Sequence, residues 1–183
     1  VHNKESSTKF LKFLTNKKKN QNVIVIDFGF GFLDKGMINI LEKKVNSFAL
    51  NVHANSLNSN YNKFTKYKKY NYLSMNKTEF QLGLNTDEND INLLIKESRK
   101  NKINQPFAVT LGVEGCVLIE KNKKQFTPAF FHKTIDTVGS GDAFFAITTA
   151  LNKLGKDYLL TTFIGNMYAG LHALNVGNKK FVN

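Results

Sequence analysis

The chain holds one cysteine, Cys116, and one arginine, Arg99, among 183 residues. A lone cysteine excludes an internal disulfide, and its apolar setting, "GCVLIE", suits a reduced, cytoplasmic compartment. Arginine supplies the bidentate clamps that read base edges and grip phosphates, so its near absence argues against a nucleic-acid surface. The net charge of +12, from 26 basic against 14 acidic residues, rests almost wholly on lysine. Those lysines are interleaved with asparagine in "TNKKKNQN", "NKFTKYKKYN" and "EKNKKQF", the pattern of a compositional bias. No apolar run approaches the roughly 20 residues that cross a bilayer. The opening "VHNKESSTKF" lacks the apolar core of a secretory signal. The chain begins at Val1, which points to a fragment or a processed segment.

Several motifs are also missing. "GFGFLDKG" follows an apolar run as a dinucleotide fingerprint would, but Asp34 stands where the third glycine belongs. No G-x-x-x-x-G-K-[ST] loop occurs, and "VGSGD" lacks the frame of a G-x-S-x-G nucleophile elbow. His2, His53, His132 and His172 are too scattered for a metal cluster. These absences remove the common nucleoside-triphosphate loop, the hydrolase triad and the zinc site.

What is present describes one globular domain, residues 1–183, of α/β class. Hydrophobic residues make up 42% and aromatic residues 12%, ample for a core. Apolar runs with strand character alternate with helical patterns, which predicts a mostly parallel sheet flanked by helices. The predicted helices cover Glu5–Lys18, with Phe10, Leu11, Phe13 and Leu14 on the apolar side, then "KGMINILEKKV", Lys77 to about Leu82, Asp87–Lys100, Ser140–Leu154 and Asp157–Asn175. The predicted strands are "NVIVIDFG", read as buried, "SFALNV", "YNYLSMN", "PFAVTLG" and a hairpin in "GCVLIEKNKKQFTPAF". Ligands of open α/β sheets bind beyond the carboxyl ends of strands. Asp27, Asn51, Asn76, Thr110 and Gly112 fall at or just past such ends, and are expected to share one site.

"DTVGSGDAF", residues 136–144, places two glycines ahead of an apolar helix. Glycines let backbone amides converge, and the unpaired amides and dipole of a helix start make an anion site. Asp142 in that first turn suits phosphoryl transfer, because a carboxylate accepts a hydroxyl proton while amides stabilise the moving phosphoryl group. A plain N-terminal cap explains the same residues equally well on local chemistry alone.

The longer pattern D-T-x-G-[AS]-G-D-x-F, matched throughout Asp136–Phe144, resembles the signature of ribokinase-like (PfkB) sugar kinases. That resemblance implies Asp142 as the catalytic base, and Gly139, Ser140 and Gly141 as parts of the anion hole. It implies Asp136 at a monovalent cation site, with K⁺ as the ion. "NKTE" resembles the family's N-x-x-E motif, so Asn76 and Glu79 would order Mg²⁺ through water. "TLGVEG" resembles the turn beside the ATP phosphates, implicating Thr110 and Gly112; "NMYAGLHALNVGN" adds Gly177 and Asn178 at the nucleotide pocket.

"VIVIDFGFGFLDK" and "NVHANSLNSNYNKFTKY" are similar to the branch of heptose-phosphate kinases and bifunctional ADP-heptose synthases. Asp27, Asn51, His53 and Asn55, with Asn58, then become substrate candidates. Phe30 replaces the basic residue of the heptose kinases, which leaves the acceptor open. The resemblance runs from about Asn22 to Asn178 and implies an incomplete ribokinase-like fold, lacking the N-terminal sugar-binding part and its lid. The expectation is an ATP- and Mg²⁺-dependent kinase of a sugar or sugar phosphate, with a homodimer left open and neither nucleic acid nor membrane as partner. The alternative is a non-catalytic nucleotide-binding half-domain that needs a partner or the missing part.

Overall fold

The computed structural model describes residues 4–16, 23–54, 61–121, 123–131 and 133–176. Its elements are α1 (Lys4–Thr15), β1 (Val23–Asp27), α2 (Lys35–Lys44), β2 (Phe48–Val52), β3 (Tyr72–Asn76), α3 (Lys77–Leu84), α4 (Ile91–Lys100), β4 (Phe107–Thr110), β5 (Gly115–Glu120), β6 (Lys123–Pro128), α5 (Ser140–Lys153) and α6 (Tyr158–Ala173). A single 3₁₀ turn, Phe64–Lys66, follows the loop after β2, and another, Gly112–Glu114, precedes β5. The strands are ordered β1-β2-β3-β4-β5-β6 in a six-stranded, mostly parallel sheet flanked by helices. The chain is α/β, as its alternating pattern predicts. It divides into two compact units, residues 1–73 with 78–103, and residues 74–77 with 104–183.

In the first unit, β1 runs parallel to β2 with Val23 opposite Phe48 and Asp27 opposite Val52. All five residues of β2 are buried. The expectation of a buried β1 holds for one face alone: Val25 and Asp27 are buried, whereas Ile24 is 52% and Ile26 40% exposed. Successive strand side chains point to opposite faces, so one apolar set covers the core and the other is left largely exposed. Helix α2 starts where Asp34 accepts the Met37 N–H at 2.8 Å, and it buries Met37, Ile38 and Leu41. Its Lys43 and Lys44 complement the carboxyl end of the helix dipole.

Helix α1 ends at Thr15, short of the predicted Lys18, and residues 17–20 lie outside the described set. Phe13 is 55% exposed, and the Phe10 ring packs edge-on against Phe32 at 5.2 Å. Helix α3 continues to Leu84, two residues past its predicted end. Helix α4 begins at Ile91 and not at Asp87, because Asp90 caps it by accepting the Asn92 N–H at 2.7 Å. Residues 86–90 form a capping turn ahead of it, in which Glu88 accepts the N–H groups of Asn89 and Asp90.

The second unit is built on the predicted hairpin. β4 and β5 are antiparallel, Phe107 opposite Ile119, and β5 pairs with β6, Glu120 opposite Lys123. Ala108, Val109, Cys116, Val117, Leu118, Phe144 and Phe145 form the core. α5 and α6 pack closely because Gly165 has no side chain: a Cβ there would lie 2.6 Å from Thr148 and 2.8 Å from Phe144. Asp157 caps α6 by accepting the N–H groups of Leu159 and Leu160.

Candidate active site

The site residues are described unit by unit. In the first unit, Asp27 ends β1 and is 4% exposed. Its Oδ1 accepts the Gly29 N–H at 2.8 Å, and its Oδ2 accepts the Tyr67 hydroxyl at 2.7 Å and the Lys66 ammonium at 2.6 Å. A carboxylate that receives three donors in a buried setting is an architectural hub. Desolvation raises the Tyr67 phenol above its ordinary range, with the Asp27 hydrogen bond and charge acting in the same direction, so Tyr67 stays a proton donor.

Asn62 ties the loop to the same point, donating to the Asp27 carbonyl at 3.1 Å and the His53 carbonyl at 2.8 Å. His53 stacks on Phe28 with centroids 4.8 Å apart, and its Nδ1 lies 3.6 Å from Glu79 Oε1. That oxygen also accepts the Ala54 N–H at 3.2 Å. Asn51 sits inside β2, buried, one residue short of the strand's end. Asn55 and Asn58 lie outside the described residues.

In the second unit, a cavity of about 290 Å³ brings together Thr110, Gly112, Ser140 and Gly141. Phe130, Phe131, Asn166 and Gly170 complete much of its wall. The Thr110 hydroxyl lies 3.5 Å from the Met75 carbonyl, and Asn76, at the end of β3, is exposed. Gly112 and Gly139 both take left-handed backbone, φ +61° and +81°, which glycine adopts without strain. Asn166 donates to the Thr127 carbonyl at 2.9 Å and the Pro128 carbonyl at 3.3 Å, fixing the end of β6 at the cavity wall.

Helix α5 opens at this cavity. Gly139 is its N-cap, and Asp142 stands half-exposed in its first turn. The expected trio of amides is altered in one respect. The Ser140 N–H donates to the Thr137 carbonyl at 3.1 Å and is spent in the turn. Ser140 still offers its hydroxyl, a buried oxygen with no hydrogen-bond partner among the described residues. A buried hydroxyl at a cavity wall beside a helix start fits an anionic group with acceptor oxygens.

Asp136 folds the preceding loop: its Oδ1 accepts the Val138 N–H at 2.9 Å, and its own N–H donates to the Ala173 carbonyl at 3.1 Å. Gly177 and Asn178 lie outside the described residues. No group of three or more His, Cys, Asp or Glu that could hold a metal occurs among the described residues.

Sequence reasoning missed Lys66, Tyr67 and Asn62, because a polar loop carries no periodicity that marks a buried network. It also missed Phe130, Phe131 and Asn166. The glycines of α6 were the available signal, since a Cβ at Gly170 would overlap the Phe131 ring.

The chain thus combines an α/β sheet with a glycine-lined cavity at a helix start. The pfkB family carbohydrate kinase model matches residues 31–180, and the chain belongs to that family of carbohydrate kinases. The bifunctional protein HldE of Aliarcobacter butzleri is 26% identical over 182 residues, covering 96% of this chain and 37% of that protein. Phosphofructokinase-2 from Escherichia coli in complex with potassium superposes with a TM-score of 0.76 at 13% identity, over 98% of this chain and 59% of its own. Arabidopsis thaliana ribokinase complexed with ribose and ATP gives 0.68 at 18%, over 92% and 54%. The chain thus spans little more than a third of that curated relative and just over half of these solved structures. Among the described residues no helix is long and apolar enough to cross a membrane.

Proposed function

We propose that this chain supplies the nucleotide-binding and catalytic part of an ATP-dependent sugar kinase. The observation that carries this reading is the cavity of the second unit, where Ser140 and Gly141 open α5 and Asp142 follows in its first turn. The adenosine part of ATP occupies the cavity between Phe130, Phe131 and Thr110. Its phosphates lie toward the start of α5, where amides of the first turn have no acceptor within the helix.

Asp142 accepts the proton of the acceptor hydroxyl. The freed oxygen attacks the γ-phosphorus in line, forming a new P–O bond while the bond to the β-phosphate's bridging oxygen breaks and ADP departs. The amides of Gly139, Gly141 and Asp142, with the Ser140 hydroxyl, stabilise charge that develops on the phosphoryl oxygens. Asn76 and Glu79 offer the hard oxygens that suit Mg²⁺, and the ion when bound neutralises phosphate charge. Asp136 supplies the same chemistry for a monovalent cation that steadies the loop. The lysine surplus favours anionic reactants by long-range attraction.

The acceptor is a sugar or sugar phosphate. A heptose phosphate rests on the likeness of residues 23–35 and 51–67 to the heptose kinases, with Phe30 as its main point of departure. The test is calorimetric binding of Mg-ATP together with ADP release across a panel of sugars and heptose phosphates. Asp142→Asn should keep ATP affinity and lose about 10²–10⁴-fold in turnover. Bound ATP with no acceptor-dependent ADP, and no effect of Asp142→Asn, would instead favour the non-catalytic nucleotide-binding module.

A further inference from the structure

We infer that His172 is a positioning residue for the anion hole, a role that rests on the kinase reading above. His172 lies in the last turn of α6, and its Nε2 is 3.1 Å from the Val138 carbonyl oxygen. A carbonyl only accepts, so the proton resides on Nε2 and the ring donates. The Val138 carbonyl and the Gly139 N–H belong to one trans peptide, in which the two groups point in opposite directions. Holding the carbonyl against α6 therefore turns the Gly139 N–H away from it.

The clamp is reinforced on both sides. The Ala173 carbonyl accepts the N–H groups of Ile135 and Asp136 at 2.8 and 3.1 Å. The Asn175 N–H donates to the His172 carbonyl at 3.0 Å, which closes the end of the helix. A Cβ at Gly139 would lie 3.0 Å from His172 Nε2, so the ring sits directly on the glycine. The end of α6 thus holds residues 135–139 at three backbone groups, and His172 provides the one nearest the helix start of α5. A side chain of similar bulk without a ring N–H leaves the Val138–Gly139 peptide free to rotate, and the first amide of the hole loses its aim.

The experiment uses the full chain labelled with ¹⁵N. The His172 ring should show a protonated Nε2, and the Gly139 amide resonance should move when the non-hydrolysable analogue AMP-PNP is added with Mg²⁺. In His172→Leu that movement should be lost and turnover should fall at least about tenfold. The KM for ATP should change less than turnover does, since the amide's contact strengthens as charge develops on the phosphoryl oxygens. His172→Gln, which restores a donor, should recover both readouts. A ring whose Nε2 carries no proton, or a His172→Leu that responds like the parent chain, overturns the inference alone. A Gly139 resonance that AMP-PNP leaves unmoved in the parent chain overturns the kinase reading of the loop, and this inference with it.

Discussion

Removing the Asp27 carboxylate is expected to destabilise the first unit more than any exposed substitution. The side chain is buried and takes three donors, at 2.8, 2.7 and 2.6 Å. Hydrogen bonds to a charged group contribute roughly 1.5–3 kcal/mol each, and stripping one partner from a buried pair costs about 3–5 kcal/mol. Lys66 is 29% exposed and reaches water when released, so its share is small. The Tyr67 hydroxyl and the Gly29 N–H are then left facing a cavity. Asp27→Ala should therefore lose about 3–5 kcal/mol, and Tyr67→Phe, which removes one donor, about 1.5–3 kcal/mol. Asp27→Asn, isosteric but uncharged, should fall between them. Urea unfolding followed by tyrosine fluorescence and circular dichroism measures these differences as midpoint shifts at constant slope. For a chain of this length, 3–5 kcal/mol corresponds to a melting point lower by roughly 10 °C. An Asp27→Ala variant that unfolds within about 0.5 kcal/mol of the parent chain would refute the hub, because surface carboxylates behave that way.

Two further outcomes follow from buried groups. Burial pushes the Cys116 thiol up from 9.0 to about 12, against the opposing hydrogen bonds from Asn166 and Thr127, and burial raises Tyr70 from 10.0 to about 12. Between the unfolded and folded values the folded chain keeps protons that the unfolded chain has lost, so stability should decline from about pH 9 toward 12, by about 1.4 kcal/mol per pH unit for each group. Cys116→Ala should flatten the first part of that decline in urea titrations, and the parent thiol should resist alkylation at pH 9 until unfolded. Separately, Gly170→Ala places a methyl group on the Phe131 ring and pushes the ring into the cavity. Overpacking of this kind costs about 1–3 kcal/mol, so calorimetry should show ATP affinity at least about fivefold weaker, with an unchanged fold by circular dichroism.

Local chemistry made much of the molecule legible. Strands β1 to β4 and the β5–β6 hairpin were read from β-branched and aromatic runs, because such side chains restrict the backbone wherever they stand. The start of α5 was equally plain, since glycine at 139 and 141 followed by an apolar helix is a local arrangement that no distant contact creates. Helix ends were less secure. Asp90 caps α4 three residues inside the predicted start, and capping depends on which of several polar residues turns its oxygen toward the backbone.

Sequence by itself determined the α/β class, the glycine-opened start of α5 with Asp142 in its first turn, and the resemblance to the sugar kinases. These follow from spacing along the chain. The tertiary structure alone decided how polar residues far apart in sequence are used. Asp27 became a hub because Lys66 and Tyr67, some 40 positions later, bring their donors to it. The Val138 carbonyl was claimed by His172, 34 residues away. Hydrogen bonds depend on direction and on distances of a few tenths of an ångström, and only the packed chain sets those.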